Sequence, residues 1–207
     1  MTGLMAGDLD VSRETSEKLQ QYTALLRKWT RSINLISAST VDDAWNRHIV
    51  DSAQIFGLIP PDSTRLTDLG SGGGLPGIVL AIMAQHHYPA LTVTLVESDQ
   101  RKSAFLRTAA RELDLQITIV ADRIETIPSA SADVLTARAL APLPDLLGHA
   151  DRILAPGGIA LFMKGRQASA EIAAARRKWQ FSFDLADSRT DRDASILMIK
   201  DIRRAAD

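Results

Sequence analysis

The chain has 207 residues, 45% of them hydrophobic, with 24 basic against 25 acidic side chains, a net charge of -1 and no cysteine. That length buries one well-formed core but leaves no room for a nucleotide-binding unit plus a second full domain, so one domain with an appendage is expected. The composition excludes disulfides, a thiolate nucleophile and a thiolate metal site; the four histidines show no ligand spacing, so no metal is assigned, and the charge balance is not that of a strongly basic nucleic-acid binder.

The first ten residues, MTGLMAGDLD, show no basic stretch followed by an apolar core. The longest apolar run, 78–84, falls far below the roughly 18 residues a membrane span needs. The expectation is a cytoplasmic monomer with no membrane partner. Up to about residue 61 the pattern is helical only: Leu19, Tyr22, Leu26, Trp29 and Ile33 recur at helical spacing, and Thr40 with Asp43 predicts a capping box opening a second helix through Phe56. Residues 1–61 are expected to form a helical appendage packed on a core domain at 62–207.

From Leu66 onward strands and helices alternate. RLTDL (65–69) alternates polar and apolar residues and runs into a glycine cluster, as a strand entering a tight turn does; Pro76 suits the first position of the helix that follows, with 78–83 buried. LTVTLVE (91–97) predicts a strand, and 99–113 a helix whose apolar face is Phe105, Leu106, Ala109, Ala110 and Leu113. ITIVAD (117–122) and DVLTARA (133–139) are strands, 143–154 a helix, GIALFMK (158–164) a strand, and 168–178 a charged helix. Two late strands fall near 181–185 and 195–199. The alternation gives an α/β fold, a Rossmann-like doubly wound sheet that is mostly parallel, with ligands expected at the carboxyl ends of its strands.

The stretch TDLGSGGGLPG (67–77) allows two cofactors. Gly72, Gly74 and Gly77 satisfy the dinucleotide fingerprint, with Glu97 closing the next strand to take ribose hydroxyls. Asp68, Gly70, Gly72 and Gly74 equally satisfy the acidic-x-G-x-G-x-G loop of S-adenosylmethionine enzymes. Asp68 begins to separate the two, because a carboxylate near the helix N-terminus repels a pyrophosphate and favours a ligand bearing a sulfonium and an ammonium. The segment LAPGGIALFMKG (154–165) followed by a last antiparallel hairpin is similar to the ending of class I S-adenosylmethionine-dependent methyltransferases, whereas dehydrogenases usually continue into a substrate domain.

Several blocks then become specific: NLISASTVDDAWNRHIVDS (34–52), TDLGSGGGLPGIVLAI (67–82), VESDQRKSAFLR (96–107), ADRIETIP (121–128), TARALAPL (136–143) and LAPGGIALFMKG. In this order the chain resembles the RsmG family, also called glucose-inhibited division protein B, the bacterial small-subunit rRNA guanine-N7 methyltransferases. The resemblance implies methyl transfer from S-adenosylmethionine, leaving S-adenosylhomocysteine, to N7 of guanine 527 in the 530 loop of 16S rRNA, within the small ribosomal subunit or an assembly intermediate. It implies a cofactor shell of Gly70 and Leu75 in the loop, Glu97 at the ribose, Ile124 and Glu125 after the third strand, and Arg138 after the fourth. Ser71 and Gly73 carry little weight, since family members vary there.

Residues for the RNA are less sharply marked. Arg47 stands four residues before Asp51, the spacing of an ion pair on a helix face, and His48 shares the face of Val41, Trp45, Ile49 and Phe56; the family match makes both candidates for touching substrate. Arg123 and Lys164 lie near strand ends where phosphates are met, and a buried Arg138 would need a partner. Arg107 and Arg111 belong to a basic run at 101–111, and a second run covers 164–178. Guanine N7 carries a lone pair in the ring plane and no proton at neutral pH, so no catalytic base is assigned; alignment carries the rate. A methyltransferase acting on a small molecule would share every cofactor residue, and a regulator that binds cofactor and RNA without turnover would share most of them.

Overall fold

The computed structural model describes residues 9–205, so most of the MTGLMAGDLD segment lies outside the described residues. Helix α1 (Arg13–Thr30) starts at Ser12, whose hydroxyl accepts from the backbone N–H of Thr15 at 3.1 Å. Its inner face buries Leu19, Tyr22, Leu25 and Leu26, each worth about 2 kcal/mol of burial. These residues join one buried cluster with Leu66, Ile78, Leu80 and Phe105 of the later elements. Ile33 falls beyond the helix end and packs against that cluster from the following turn.

The predicted second helix is replaced by a series of shorter turns. A 3-10 turn at Ala38–Thr40, a π-helical segment at Trp45–Val50, the short helix α2 (Asp51–Ala53) and a 3-10 turn at Phe56–Leu58 follow one another. No capping box forms, because Thr40 sits inside the first turn and its hydroxyl donates to the carbonyl of Ser37 at 2.8 Å and meets His48 Nε2 at 2.8 Å.

The sheet has seven strands in the order β3-β2-β1-β4-β5-β7-β6. Strands β1 (Arg65–Leu69), β2 (Thr92–Val96), β3 (Ile117–Val120), β4 (Ala132–Arg138) and β5 (Leu154–Lys164) are parallel. Strands β6 (Trp179–Asp187) and β7 (Ser195–Arg204) form the expected antiparallel hairpin, and β7 alone runs against its neighbours on both sides. Helices α3 (Gly77–His87), α4 (Gln100–Glu112), α5 (Leu143–Ile153) and α6 (Ala168–Ala175) cover the two faces. Chain order reverses between β1 and β4, and ligand crevices open at such switch points in doubly wound sheets.

Three local expectations change. β1 is buried at Leu66, Thr67, Asp68 and Leu69 alike, since a central strand is covered on both faces whatever its alternation. The Pro-Gly-Gly of 156–158 is absorbed into β5 as a bulge: Ala132 pairs with Leu154 and Val134 already with Ile159, Gly157 having a φ of +79°. Pro76 is the residue before α3 rather than its first, a shift of one position.

Candidate active site

At the carboxyl ends of β1 and β2 the glycine loop is shaped by its backbone. Gly70, Gly72 and Gly74 take φ of +61°, +55° and +84°. A side chain at Gly70 would be doubly excluded, by this left-handed conformation and by Leu140 Cδ1, which would lie 2.5 Å from the added carbon. Ser71 N–H donates to Val96 O at 3.0 Å and ties the loop to β2. Glu97, 8% exposed, accepts from Gly72 N–H through Oε2 and from Asp99 N–H through Oε1, both at 2.8 Å. These bonds fix the carboxylate at the rim of a cavity of about 360 Å³ walled by Gly70, Gly72, Ile124, Glu125 and Leu140. Arg123 is exposed at the same rim.

The turn bearing Ile124 and Glu125 is anchored from α5: Arg152 donates to Ile124 O at 2.7 Å and to Ile127 O. Sequence reasoning passed over Arg152, whose carbonyl partners leave no signature in composition. Gly73 likewise has more weight than its variability suggests: its carbonyl accepts from the buried Tyr22 hydroxyl, and a side chain there would lie 3.0 Å from Leu26 Cδ1. The N-terminal helix thereby braces the loop. Leu75 is buried in the core beneath it.

Asp68 does not face this cavity. It is fully buried, accepting from Thr136 Oγ1 at 2.7 Å and, at 3.3 Å, from Gly77 N–H at the start of α3. Burial pushes its carboxyl up to about 6 against the pull of those hydrogen bonds. Its place is to clamp β1, β4 and α3 together under the loop, so the ligand contact expected of it from sequence does not form part of the cavity wall.

A second cavity, of about 610 Å³, opens between the carboxyl ends of β4 and β5 and the segment 40–54. It shares Ala139 and Leu140 with the first. Arg138 sits just before this shared wall, and its guanidinium meets Asp51 Oδ2 at 3.2 Å and His48 Nδ1 at 2.9 Å. Asp51 is the partner that a half-buried Arg138 required, and the Arg47–Asp51 pair expected from spacing does not form. Arg47 turns instead to Asp191 at 3.6 Å, in the hairpin between β6 and β7, while Thr190 and Gln54 take the other Asp51 oxygen.

The hydrogen bonds assign the state of His48. An arginine only donates, so Nδ1 accepts; Thr40 donates to Ser37, so its oxygen receives the proton on Nε2. Desolvation, then the charges of Arg138 and Arg47, pull the imidazole down to about 4. His48 is neutral near pH 7, with both nitrogens engaged.

Lys164 lines the same cavity but is no free phosphate cation. It is 8% exposed, pairs with Glu171 at 2.8 Å and donates to Ala141 O at 2.7 Å. Arg166 is taken by Asp193 at 2.7 Å, and Arg176 to Lys178 lie past the end of α6 where β6 begins, at the opposite edge of the sheet. The basic run at 164–178 is therefore not one patch. Arg107 and Arg111 are exposed on α4, which leads away from the strand ends, and line neither cavity. Among the described residues no cluster of three or more metal-ligating side chains occurs, and no helix is long and apolar enough to cross a membrane.

Comparison with known proteins matches residues 15–190 to the family described as rRNA small subunit methyltransferase G. A ribosomal RNA small subunit methyltransferase G from Cereibacter sphaeroides is 54% identical over 192 residues, 93% of each chain. One of the same name from Acidiphilium cryptum is 50% identical over 99% of this chain and 98% of its own. Among solved structures, a SAM-dependent methyltransferase from Aquifex aeolicus superposes with a TM-score of 0.60 at 9% identity over 86% of this chain and 97% of its own. A T. thermophilus 16S rRNA N2 methyltransferase in complex with AdoMet and guanosine gives 0.56 at 13% identity over 76% and 40%. At such identities the likeness extends to the fold.

Proposed function

The chain belongs to the rRNA small subunit methyltransferase G family, and from that premise we propose that it transfers the methyl group of S-adenosylmethionine to N7 of guanine 527 in the 530 loop of 16S rRNA. The observation that carries the proposal is the meeting of two cavities at Ala139 and Leu140, one with the Glu97 carboxylate beside the glycine loop and one in which His48 has both ring nitrogens engaged.

The first cavity suits the cofactor. Only bare backbone at Gly70 keeps it open, Glu97 presents a carboxylate that two N–H groups already orient for ribose hydroxyls, and Ile124 with Leu140 offers apolar surface for a purine. When bound there, S-adenosylmethionine supplies a methyl group on a positively charged sulfur and leaves as S-adenosylhomocysteine. The second cavity takes the target base, unstacked from its loop. His48 has no open nitrogen to accept a proton, and N7 has none to give. The residues therefore hold and align rather than titrate, and positioning of this kind supplies on the order of 7–11 kcal/mol of the barrier. Arg47 and Arg123, exposed at the two cavities, are placed to meet phosphates of the surrounding rRNA, with Arg107 and Arg111 as outlying cations. One copy of the chain supplies both cavities, so we take the working unit to be a monomer, with the described part of the N-terminal segment, residues 9–61, bracing the domain that begins at residue 62.

The test is methyl transfer from labelled S-adenosylmethionine to small-subunit particles lacking the modification. One methyl per particle is expected, at a guanine that then breaks after borohydride and aniline treatment, as N7-methylated guanosine does. A methyl on another atom or another RNA would overturn the assignment to guanine N7, and efficient transfer to a free metabolite would point to the small-molecule alternative.

A further inference from the structure

The Lys164–Glu171 pair keeps more hydrogen-bonding capacity than the fold uses. Glu171 accepts from Leu143 N–H at 2.7 Å, at the start of α5, and from Lys164 Nζ at 2.8 Å, and both bonds fall on Oε2. Oε1 receives none among the described residues. Lys164 has three N–H donors, of which Ala141 O and Glu171 Oε2 take two. Both residues line the second cavity, and Ala141 is the residue immediately after the shared wall. The cavity thus presents one unused donor beside one unused acceptor, held by a half-buried ion pair next to the place where the two cavities meet.

On the reading above that this cavity takes the acceptor base, we propose that Lys164 and Glu171 are its guanine-specifying pair: Lys164 donates to O6, and Glu171 Oε1 accepts from N1–H. In guanine these two groups are neighbours on the Watson–Crick edge, acceptor then donor. Adenine presents the reverse order, an amine at position 6 and an unprotonated N1, and meets the pair donor to donor and acceptor to acceptor. O6 also borders N7, so under this proposal N7 lies on the side of the shared wall when O6 meets Lys164. A site built to pair polar groups rejects an analogue that leaves them unpaired. The sequence offers no sign of this pair, since the two residues come from the end of a strand and the first turn of a helix and meet only across the intervening loop.

The experiment compares particles reconstituted with 16S rRNA carrying guanine, inosine or 2-aminopurine at the target. Inosine keeps O6 and N1–H; 2-aminopurine lacks both, and each retains N7. The wild-type enzyme is expected to hold kcat/KM on inosine within a few-fold and to lose on the order of ten- to a hundredfold on 2-aminopurine. Glu171→Gln is expected to lose a similar factor on guanine and little further on 2-aminopurine, with S-adenosylmethionine affinity unchanged. Equal treatment of guanine and 2-aminopurine by the wild type, or an unchanged guanine to 2-aminopurine ratio in the variant, would overturn the proposal. The wild-type substrate series decides the matter even where the variant does not fold. Absence of any transfer to guanine-bearing particles would instead refute the function proposed above.

Discussion

The two cavities that meet at Ala139 and Leu140 are made of different material. The first is a backbone construction: three glycines at positive φ, a loop pinned to β2 by Ser71 N–H, and one carboxylate held by two amides. The second is a side-chain construction in which Arg138, Asp51, His48, Lys164 and Glu171 arrive from separate elements and hold one another. A cavity of backbone tolerates little change at a few fixed positions, whereas a cavity of paired side chains fails by leaving partners stranded. Four substitutions set the two constructions against each other.

The largest effect is expected at Gly70→Val. A β-branched side chain at φ +61°, with Leu140 at 2.5 Å from its first carbon, combines backbone strain with overpacking, and S-adenosylmethionine affinity measured by calorimetry should fall by about two orders of magnitude. Arg138→Ala comes next, and strikes the other cavity. Removing the guanidinium leaves Asp51 Oδ2 without its cation while Thr190 and Gln54 keep the other oxygen, and chemical denaturation should register a loss of about 2–3 kcal/mol. Desolvation still holds His48 down, but without the Arg138 charge its NMR titration should move upward from about 4.

Acid stability sets the two regions against each other. Asp68, under the first cavity, is raised from 3.8 to about 6, so between those values the folded state holds more protons than the unfolded chain and stability falls as pH rises. His48, in the second, is lowered from 6.5 to about 4, so the folded state holds fewer protons there and stability rises with pH. The slopes oppose, each at most about 1.4 kcal/mol per pH unit, and a shallow profile between pH 4 and 6 is expected. Asp68→Asn removes one arm, and its denaturation midpoint should drop more steeply on acidification than that of the wild type. A parallel profile would show that the two groups do not offset each other. The smallest change is Tyr22→Phe, which leaves the Gly73 carbonyl unpaired in the interior: about 1–2 kcal/mol of stability and a several-fold loss of cofactor affinity, against none if α1 does not brace the loop.

Much of this architecture was already legible in the chain. Strand and helix alternation from Leu66 onward, the glycine loop, Glu97 at a strand end and the closing hairpin follow from periodicity and local turn chemistry, which act over a few residues and leave their mark in order. A capping box and a helical face are local signals and do not register that the stretch from Thr40 to Phe56 carries His48 and Asp51 to Arg138 on β4. Asp68 was placed on the ligand for the same reason: sequence shows a carboxylate beside glycines but not which way a central strand turns it. Asp51, Glu171 and Arg152 were missed as site residues because their partners lie on other elements. The sequence by itself determined the fold, the family and the backbone cavity, since these rest on short-range patterns. The tertiary structure decided which charges are neutralised and which remain to meet a ligand, because Coulomb and hydrogen-bond energies depend on separations of about 3 Å that folding alone brings about.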